Sequence, residues 1–330
     1  IVATIKDVAR LAGVSISTVS IALQDDPRVR DTTRQRILAA VSELGYRPNG
    51  IARDLKQQRT NTIALFLHDM GGPFYSELVR GVQHAALAEG FSPIVACSSG
   101  GVGGDLERLL IEGRVDGAMV LDDAIHESFL RRAAGPQLPI VVLDREIDAE
   151  HVYAVTSDHE GGAHAATAHL IAQGCQRIAF ISGPKGSIHS LLRQRGYSRA
   201  LAEAGIAIDP RLVYAGDFTE ASGYEVAAGI LGEDTLPDAI FAANDEMALG
   251  VLKAASESGL QVPADFLLVG FDDIRLTQYT VPTLTTVHQQ MFEIGVVGTQ
   301  TLIAALRGQD PLCQQVLATE LMVRDSTGCV

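Results

Sequence analysis

Four short apolar runs in this chain lead to a charged or amide side chain. Thr62–Leu67 stops at His68-Asp69 and Ile140–Leu143 at Asp144-Arg145. Ala239–Ala242 leads through Ala243 to Asn244-Asp245, and Phe266–Val269 through Gly270-Phe271 to Asp272-Asp273. Carboxylates accept hydrogen bonds, and amides both donate and accept. Four such groups in one cleft suit a polyhydroxylated ligand. Any one alone reads as a loop cap or turn residue; as a set they read as ligand contacts.

Other chemistries lack their residues. Neighbouring carboxylates (Asp272-Asp273, Asp122-Asp123) rarely face each other across the about 5–9 Å that glycoside hydrolysis needs. There is no nucleophile elbow, zinc-ligand spacing or Walker loop. The segment 98–104 is glycine-rich but lacks GxGxxG, so it reads as a flexible loop. Cys97, Cys175, Cys313 and Cys329 show no CxxC pattern, which fits the reduced thiols of a cytoplasm. Of the nine histidines, His164 and His169 are expected to flank a helix. No catalytic residue, metal or cofactor is assigned.

Strands must carry these groups. The candidates are Thr62–Leu67, Ser92–Ala96, Gly117–Leu121, Ile140–Leu143, Tyr153–Thr156, Arg177–Ile181, Ala239–Ala242 and Phe266–Val269. Such short apolar runs fit parallel strands covered on both faces. Helical runs between them stop at Gly90, Gly174, Gly205, Gly259 and Gly308, as C′ residues do. The β-α repeat predicts doubly wound sheets with ligands at the carboxyl ends of the strands. The length of this region favours two sheets over one.

The first sixty residues differ from the rest in charge. They hold ten Lys or Arg against six Asp or Glu, a net of +4, while the remainder has a net of −18. A small basic unit on an acidic body suggests a grip for nucleic acid. Thr4 to Asp7 is a capping box, followed by Ile5, Val8, Ala9 and Ala12 at helical spacing. Gly13 stops that helix and Ser15 caps a second, with Val19, Ala22 and Leu23 inward. Two short helices about a tight turn are the layout of a helix-turn-helix. Ile16, Ser17, Thr18, Ser20 and Ile21 face outward, where short side chains can approach base edges in a major groove. A third helix is expected from about Thr32 to Leu44, with Ile37, Leu38, Val41 and Leu44 inward. Arg34, Arg36, Arg47, Arg53, Lys56 and Arg59 are placed to meet phosphates. The stretch 48–56 is too short and polar to be helical alone and would need a partner.

The run from Thr4 to Ser20, then Leu44-Gly45-Tyr46-Arg47-Pro48-Asn49 and Ala52-Arg53-Asp54-Leu55, resembles the DNA-binding headpiece and hinge of the lactose-repressor (LacI/GalR) family. The body resembles that family's effector-binding core at Asp158–Ala163, Arg177–Pro184, Gly196-Tyr197, Ala242–Gly250, Val269–Asp273 and Leu284–Val287. The resemblance implies an all-α helix-turn-helix headpiece (1–48), a hinge (49–60) and an α/β core (61–330). The core would hold two doubly wound parallel-sheet subdomains of periplasmic-binding-protein type, about 61–157 with 289–317 and about 158–288 with 318–330.

It further implies DNA contacts from Thr4, Ser15, Ile16, Ser17, Thr18, Ser20, Ile21 and Arg28, and from Asn49, Ala52, Arg53 and Leu55 in the hinge. Leu55 would wedge a central base step apart in the minor groove. For the effector it implies Asp144, Arg193, Asn244 and Asp272 as polar contacts and Tyr75 and Phe218 as stacking rings. His68, Ser187 and His189 sit at variable pocket positions. The family's usual Ser cap of the third helix is replaced by Arg30, with Asp31 expected to take over that role. The implied partners are double-stranded operator DNA, a small-molecule effector (most simply a sugar) and a second copy of the chain. The C-terminus shows no leucine heptad, which favours a dimer. The N-terminus does not read as a signal peptide, and no apolar run reaches the roughly 18–20 residues of a membrane span. A cytoplasmic repressor that releases DNA on sugar binding is the leading expectation, with co-repression as the alternative sign. A transport-type sugar-binding protein is the competing class; it would lack the basic head.

A further position departs from the family pattern. Ile21 stands where an Arg is usual after Thr-Val-Ser. Arginine can take a guanine bidentately, whereas isoleucine packs only on apolar edges such as a thymine methyl. An unbiased selection of duplexes by the full chain should therefore return an atypical base at that half-site position. Return of the family's usual half-site would contradict this.

Overall fold

The computed structural model describes residues 3–23, 26–46, 59–68, 70–97 and 109–328. The chain divides into two compact units, Ile1–Thr60 and Asn61–Val330.

The first unit packs helices α1 (Ile5–Ala12), α2 (Ile16–Ala22) and α3 (Asp31–Leu44) around Val8, Val19, Ala22 and Ile37. The Asp7 carboxylate reaches back to the start of α1: the Thr4 amide and hydroxyl donate to its Oδ2 at 3.0 and 2.7 Å. Gly13 adopts the left-handed conformation, and Ser15 Oγ accepts from the Thr18 amide at 3.1 Å. Several expectations need correction. Leu38 lies outward, 49% exposed, because inward positions of α3 fall on Ile37, Ala40 and Val41. Asp31 is the first helical residue and makes no capping bond; Arg30 holds the N-cap position without a side-chain cap. Arg34 turns inward and donates to the carbonyls of Ala22 and Asp26, so it is a tie between helices rather than a phosphate contact. Arg47, Asn49, Ala52, Arg53, Leu55 and Lys56 lie outside the described residues.

The second unit opens with β1 (Thr62–Leu67), α4 (Phe74–Ala88), β2 (Ser92–Cys97), β3 (Gly117–Leu121), α5 (Glu127–Ala133), β4 (Ile140–Leu143) and β5 (Val152–Ser157). Then come α6 (His159–Ala172), β6 (Ile178–Ser182), α7 (Ile188–Glu203), β7 (Val213–Ala215), α8 (Glu220–Leu231), β8 (Ala239–Ala242), α9 (Asp245–Glu257) and β9 (Leu267–Val269). It closes with β10 (Thr286–His288), α10 (Met291–Leu306), β11 (Gln314–Leu317) and β12 (Glu320–Met322). One sheet has the order β11-β5-β4-β3-β1-β2 and another β7-β6-β8-β9, and every pairing in both is parallel. The antiparallel pair β10-β12 adjoins the second sheet through bridges Val269–Thr285 and Asp272–His288.

Burial explains why the parallel arrangement forms. Every residue of β3, β4 and β8 is buried, as strands covered on both faces must be. All eight expected strands are present within a residue or two of their expected ends. The strands β7, β10, β11 and β12 went unpredicted. They have three or four residues each and lie at sheet margins, so they carry no apolar run. The five helix-ending glycines all sit at φ between 72° and 93°. His164 and His169 lie within α6, not at its ends, and bond Glu203 and Thr327. Cys97, Cys175 and Cys313 are free thiols. Among the described residues no helix is long and apolar enough to cross a membrane.

Among the described residues the chain passes between the sheets three times: from β5 to α6, from β10 to α10, and from β11 to β12. Within each lobe, helices meet backbone to backbone at glycine. A Cβ on Gly81 of α4 would lie 2.0 Å from the Phe292 carbonyl oxygen, and one on Gly295 of α10 would lie 2.5 Å from that of Leu78. No rotamer change relieves a clash with backbone. Gly81→Ala is expected to lower stability by about 1–3 kcal/mol through forced separation of α4 and α10. A urea midpoint equal to that of the parent protein would disprove it.

Candidate functional site

Three strand-end residues and one helix build a polar centre in the second unit. Asp144 follows β4, Asn244 caps α9 and Asp272 lies just past β9; Arg193 reaches in from α7. Asp144, Phe218 and Asp272 hold positive φ values of 56°, 71° and 118°. Non-glycine residues in that region carry strain, which clusters where side chains must be aimed.

Arg193 is 4% exposed. It donates to the carbonyl of Ala243, lies 3.3 Å from Asp272 Oδ1 and stacks its guanidinium 3.9 Å over the Phe271 ring. Phe218 stands further off, 5.7 Å from the same cation. Asp272 Oδ1 also accepts from Gln289 Nε2 at 2.6 Å. Burial pushes the Asp272 carboxyl up to about 7, despite the opposing pull of Arg193 and Gln289. Burial likewise lowers the pKa of Arg193, against the attraction of Asp272 and Asp144.

Asp144 sits beside two imidazoles. Its Oδ1 accepts from the Ser157 amide at 3.0 Å and lies 3.4 Å from His159 Nε2. Its carbonyl oxygen accepts from His189 Nε2 at 2.9 Å. Burial opposes the charge on Asp144, but His159, His189 and the Ser157 amide outweigh it and hold the carboxyl below its usual range. Burial lowers the pKa of His159, although Asp144 works the other way. Asp144 and His159 line a cavity of about 540 Å³ together with Arg145, Ser157, Ile188 and Leu192.

The other named residues divide. Asn244 Oδ1 caps α9 by accepting from the Met247 amide at 3.0 Å, and its Nδ2 donates to the Phe218 carbonyl at 2.9 Å. Ser187 caps α7 through the Ser190 amide at 3.3 Å. His68 is exposed and pairs with Asp122 at 3.2 Å, while Tyr75 meets Phe74 edge-on at 5.3 Å. Two strand-end carboxylates are structural. Asp245 accepts from the Ile274 amide and the Thr286 hydroxyl, and Asp273 holds Arg324 and His288. Asp69 lies outside the described residues.

Sequence reasoning missed His159 and Gln289. His159 had a usable signal, since it opens a helix two residues past β5 as Asn244 opens the region past β8. Gln289 had none, because β10 was itself unrecognised.

In the first unit, Ile16 (44% exposed) and Ser17 present an open face, and Ser20 is half-buried. Ile21 is also half-buried and packs on the helix core, so it is less outward than expected. The Ser15 and Thr18 hydroxyls bond each other at 2.8 Å, and Arg28 forks onto Asp26 with contacts from 2.7 Å.

Two family models match the chain: "Bacterial regulatory proteins, lacI family" over residues 4–49 and "Periplasmic binding protein-like domain" over 167–327. The ribose operon repressor of Escherichia coli (strain K12) is 38% identical over 325 residues, 96% of each chain. Among solved structures, the lac repressor dimer bound to operator and the anti-inducer ONPF superposes with a TM-score of 0.86 at 30% identity, covering 100% of both chains. The transcriptional regulator CelR in complex with cellobiose gives 0.75 at 34% identity, covering 98% of this chain and 99% of that one.

Removing the buried cation strands its carboxylate. Arg193→Met is expected to lower unfolding stability by about 3–5 kcal/mol, and adding Asp272→Asn should restore part of it. Without Arg193 the folded-state pKa of Asp272 rises further above its unfolded value. The folded variant then holds a proton that the unfolded chain releases, so its stability should fall as pH rises from about 5 to 8. Urea midpoints across that range measure both effects. Strictly additive losses in the double variant would refute the coupling.

Proposed function

The chain belongs to the lacI family of bacterial regulatory proteins, and on that footing we propose that it is a cytoplasmic, homodimeric transcriptional repressor whose hold on operator DNA is set by a small sugar or sugar derivative. The observation that carries the sugar reading is the convergence of Arg193, Asp272, Asn244 and Asp144 from separate strand ends and one helix. Groups of this kind bond hydroxyls, and Phe218 adds a ring against one wall. Of the relatives named above, one is named for a ribose operon and another is a complex with cellobiose, which supports the same class.

On this reading the exposed face of α2 enters a major groove, with Thr4 and Arg28 at its flanks and Asn49, Ala52, Arg53 and Leu55 meeting the minor groove. A sugar entering the cleft draws the lobes (61–157 with 289–317, and 158–288 with 318–330) into a different relative angle. Only an effector that binds the two arrangements unequally can shift them. Coupling of about 1–3 kcal/mol is usual between such sites, equivalent to about 5–150-fold in affinity.

Titrating operator affinity against pentoses, hexoses and disaccharides tests this. One of them should weaken operator binding within that range, and Asp272→Asn or Arg193→Met should abolish the response. Operator affinity indifferent to every small molecule tried would overturn the switch.

A further inference from the structure

Asp144, His159 and His189 do something that hydroxyl recognition does not require. They offer one carboxylate and two imidazole donors whose ligand atoms all lie within 4.8 Å of one another. Asp144 comes from the end of β4 in the six-stranded sheet. His159 and His189 come from α6 and α7, which pack on the four-stranded sheet. We infer that these three residues form a binding site for a divalent transition-metal ion, of the zinc, nickel or cobalt class, at the junction of the two lobes.

Two further observations support it. Nε2 of His159 is buried and makes no hydrogen bond of good geometry, an unusual state for a ring nitrogen in a folded interior. It lies 3.4 Å from Asp144 Oδ1, which is too long for a good hydrogen bond. Two donors on a tetrahedral ion with bonds of about 2.0–2.1 Å lie about 3.4 Å apart. The pair is thus spaced as an edge of such a tetrahedron. Mixed imidazole and carboxylate donors match the borderline softness of these ions. Asp144 and His159 both line the 540 Å³ cavity.

The nearby guanidinium is compatible with a bound cation. Arg193 is neutralised by Asp272 and held by the Ala243 carbonyl, whereas Asp144 is the anion left for the metal. Ligation through Nε2 puts the ring proton of His159 on Nδ1, which faces Arg193 at 3.5 Å. That contact is the longest of the guanidinium's polar contacts named here, and it is the one that ligation would give up.

The test uses the full chain without an affinity tag, stripped with chelator and titrated with cobalt(II). The expected result is the intense visible absorption of a four- or five-coordinate ion at one equivalent per chain, displaced by zinc. His189→Ala, at a half-buried position, should weaken binding by more than the about 10–100-fold typical of losing an outer-shell partner. Asp144→Asn should do the same, and circular dichroism establishes that each variant is folded. The weak spectrum of the hydrated ion with the fold intact would overturn the site, as would undiminished binding by both variants. Neither operator nor sugar enters this measurement, so its failure leaves the repressor reading standing.

Discussion

A guanidinium sealed from water must find its compensation inside the protein, and the cleft is arranged around that demand. Arg193 is neutralised by Asp272, bonded by the Ala243 carbonyl and floored by the Phe271 ring. Each partner lies just past β8 or β9, so the register of the four-stranded sheet fixes the geometry of the charge. Taking such an ion out of water is unfavourable by several kcal/mol unless the geometry is good. The strained backbone of Asp272 at φ 118° is therefore held by its surroundings rather than chosen by the residue. The donors and acceptors of this centre are thus already oriented, and such preorganisation lowers the ordering entropy of any binding.

The core of the fold was legible because burial on both faces writes itself as continuous apolar sequence. Thr62–Leu67 and Ile140–Leu143 could hardly be anything else. The marginal strands were not legible, since Gln314–Leu317 alternates exposed and half-buried positions and draws its place from β5. In the polar centre, the strand-end rule pointed to Asp144, Asn244 and Asp272, but it could not tell groups gathered there from groups spent on scaffold. Asp245 and Asp273 carry the same signal as their neighbours and yet hold Thr286 and Arg324. Only the direction of each side chain decides between the two. Leu38 and Arg34 failed for a related reason. A helix of about four turns offers two plausible inward faces, and tertiary contacts select one.

Within each lobe, rigidity comes from glycine at helix crossings. Besides Gly81 and Gly295, Gly196 of α7 faces the Glu160 carbonyl and Gly250 of α9 faces that of Glu220, each with room for no Cβ. Backbones in such contact leave little slack for a helix to slide. Deformation is thus directed away from the lobes and into the segments that join them.

Those joining segments number three, and they run side by side from β5, β10 and β11. One connecting strand would act as a swivel, free to turn about several axes. Three laid along a common seam resist twist and slip more than one would, like the spine of a book. Bending along that spine is then the easiest relative movement of the two pages.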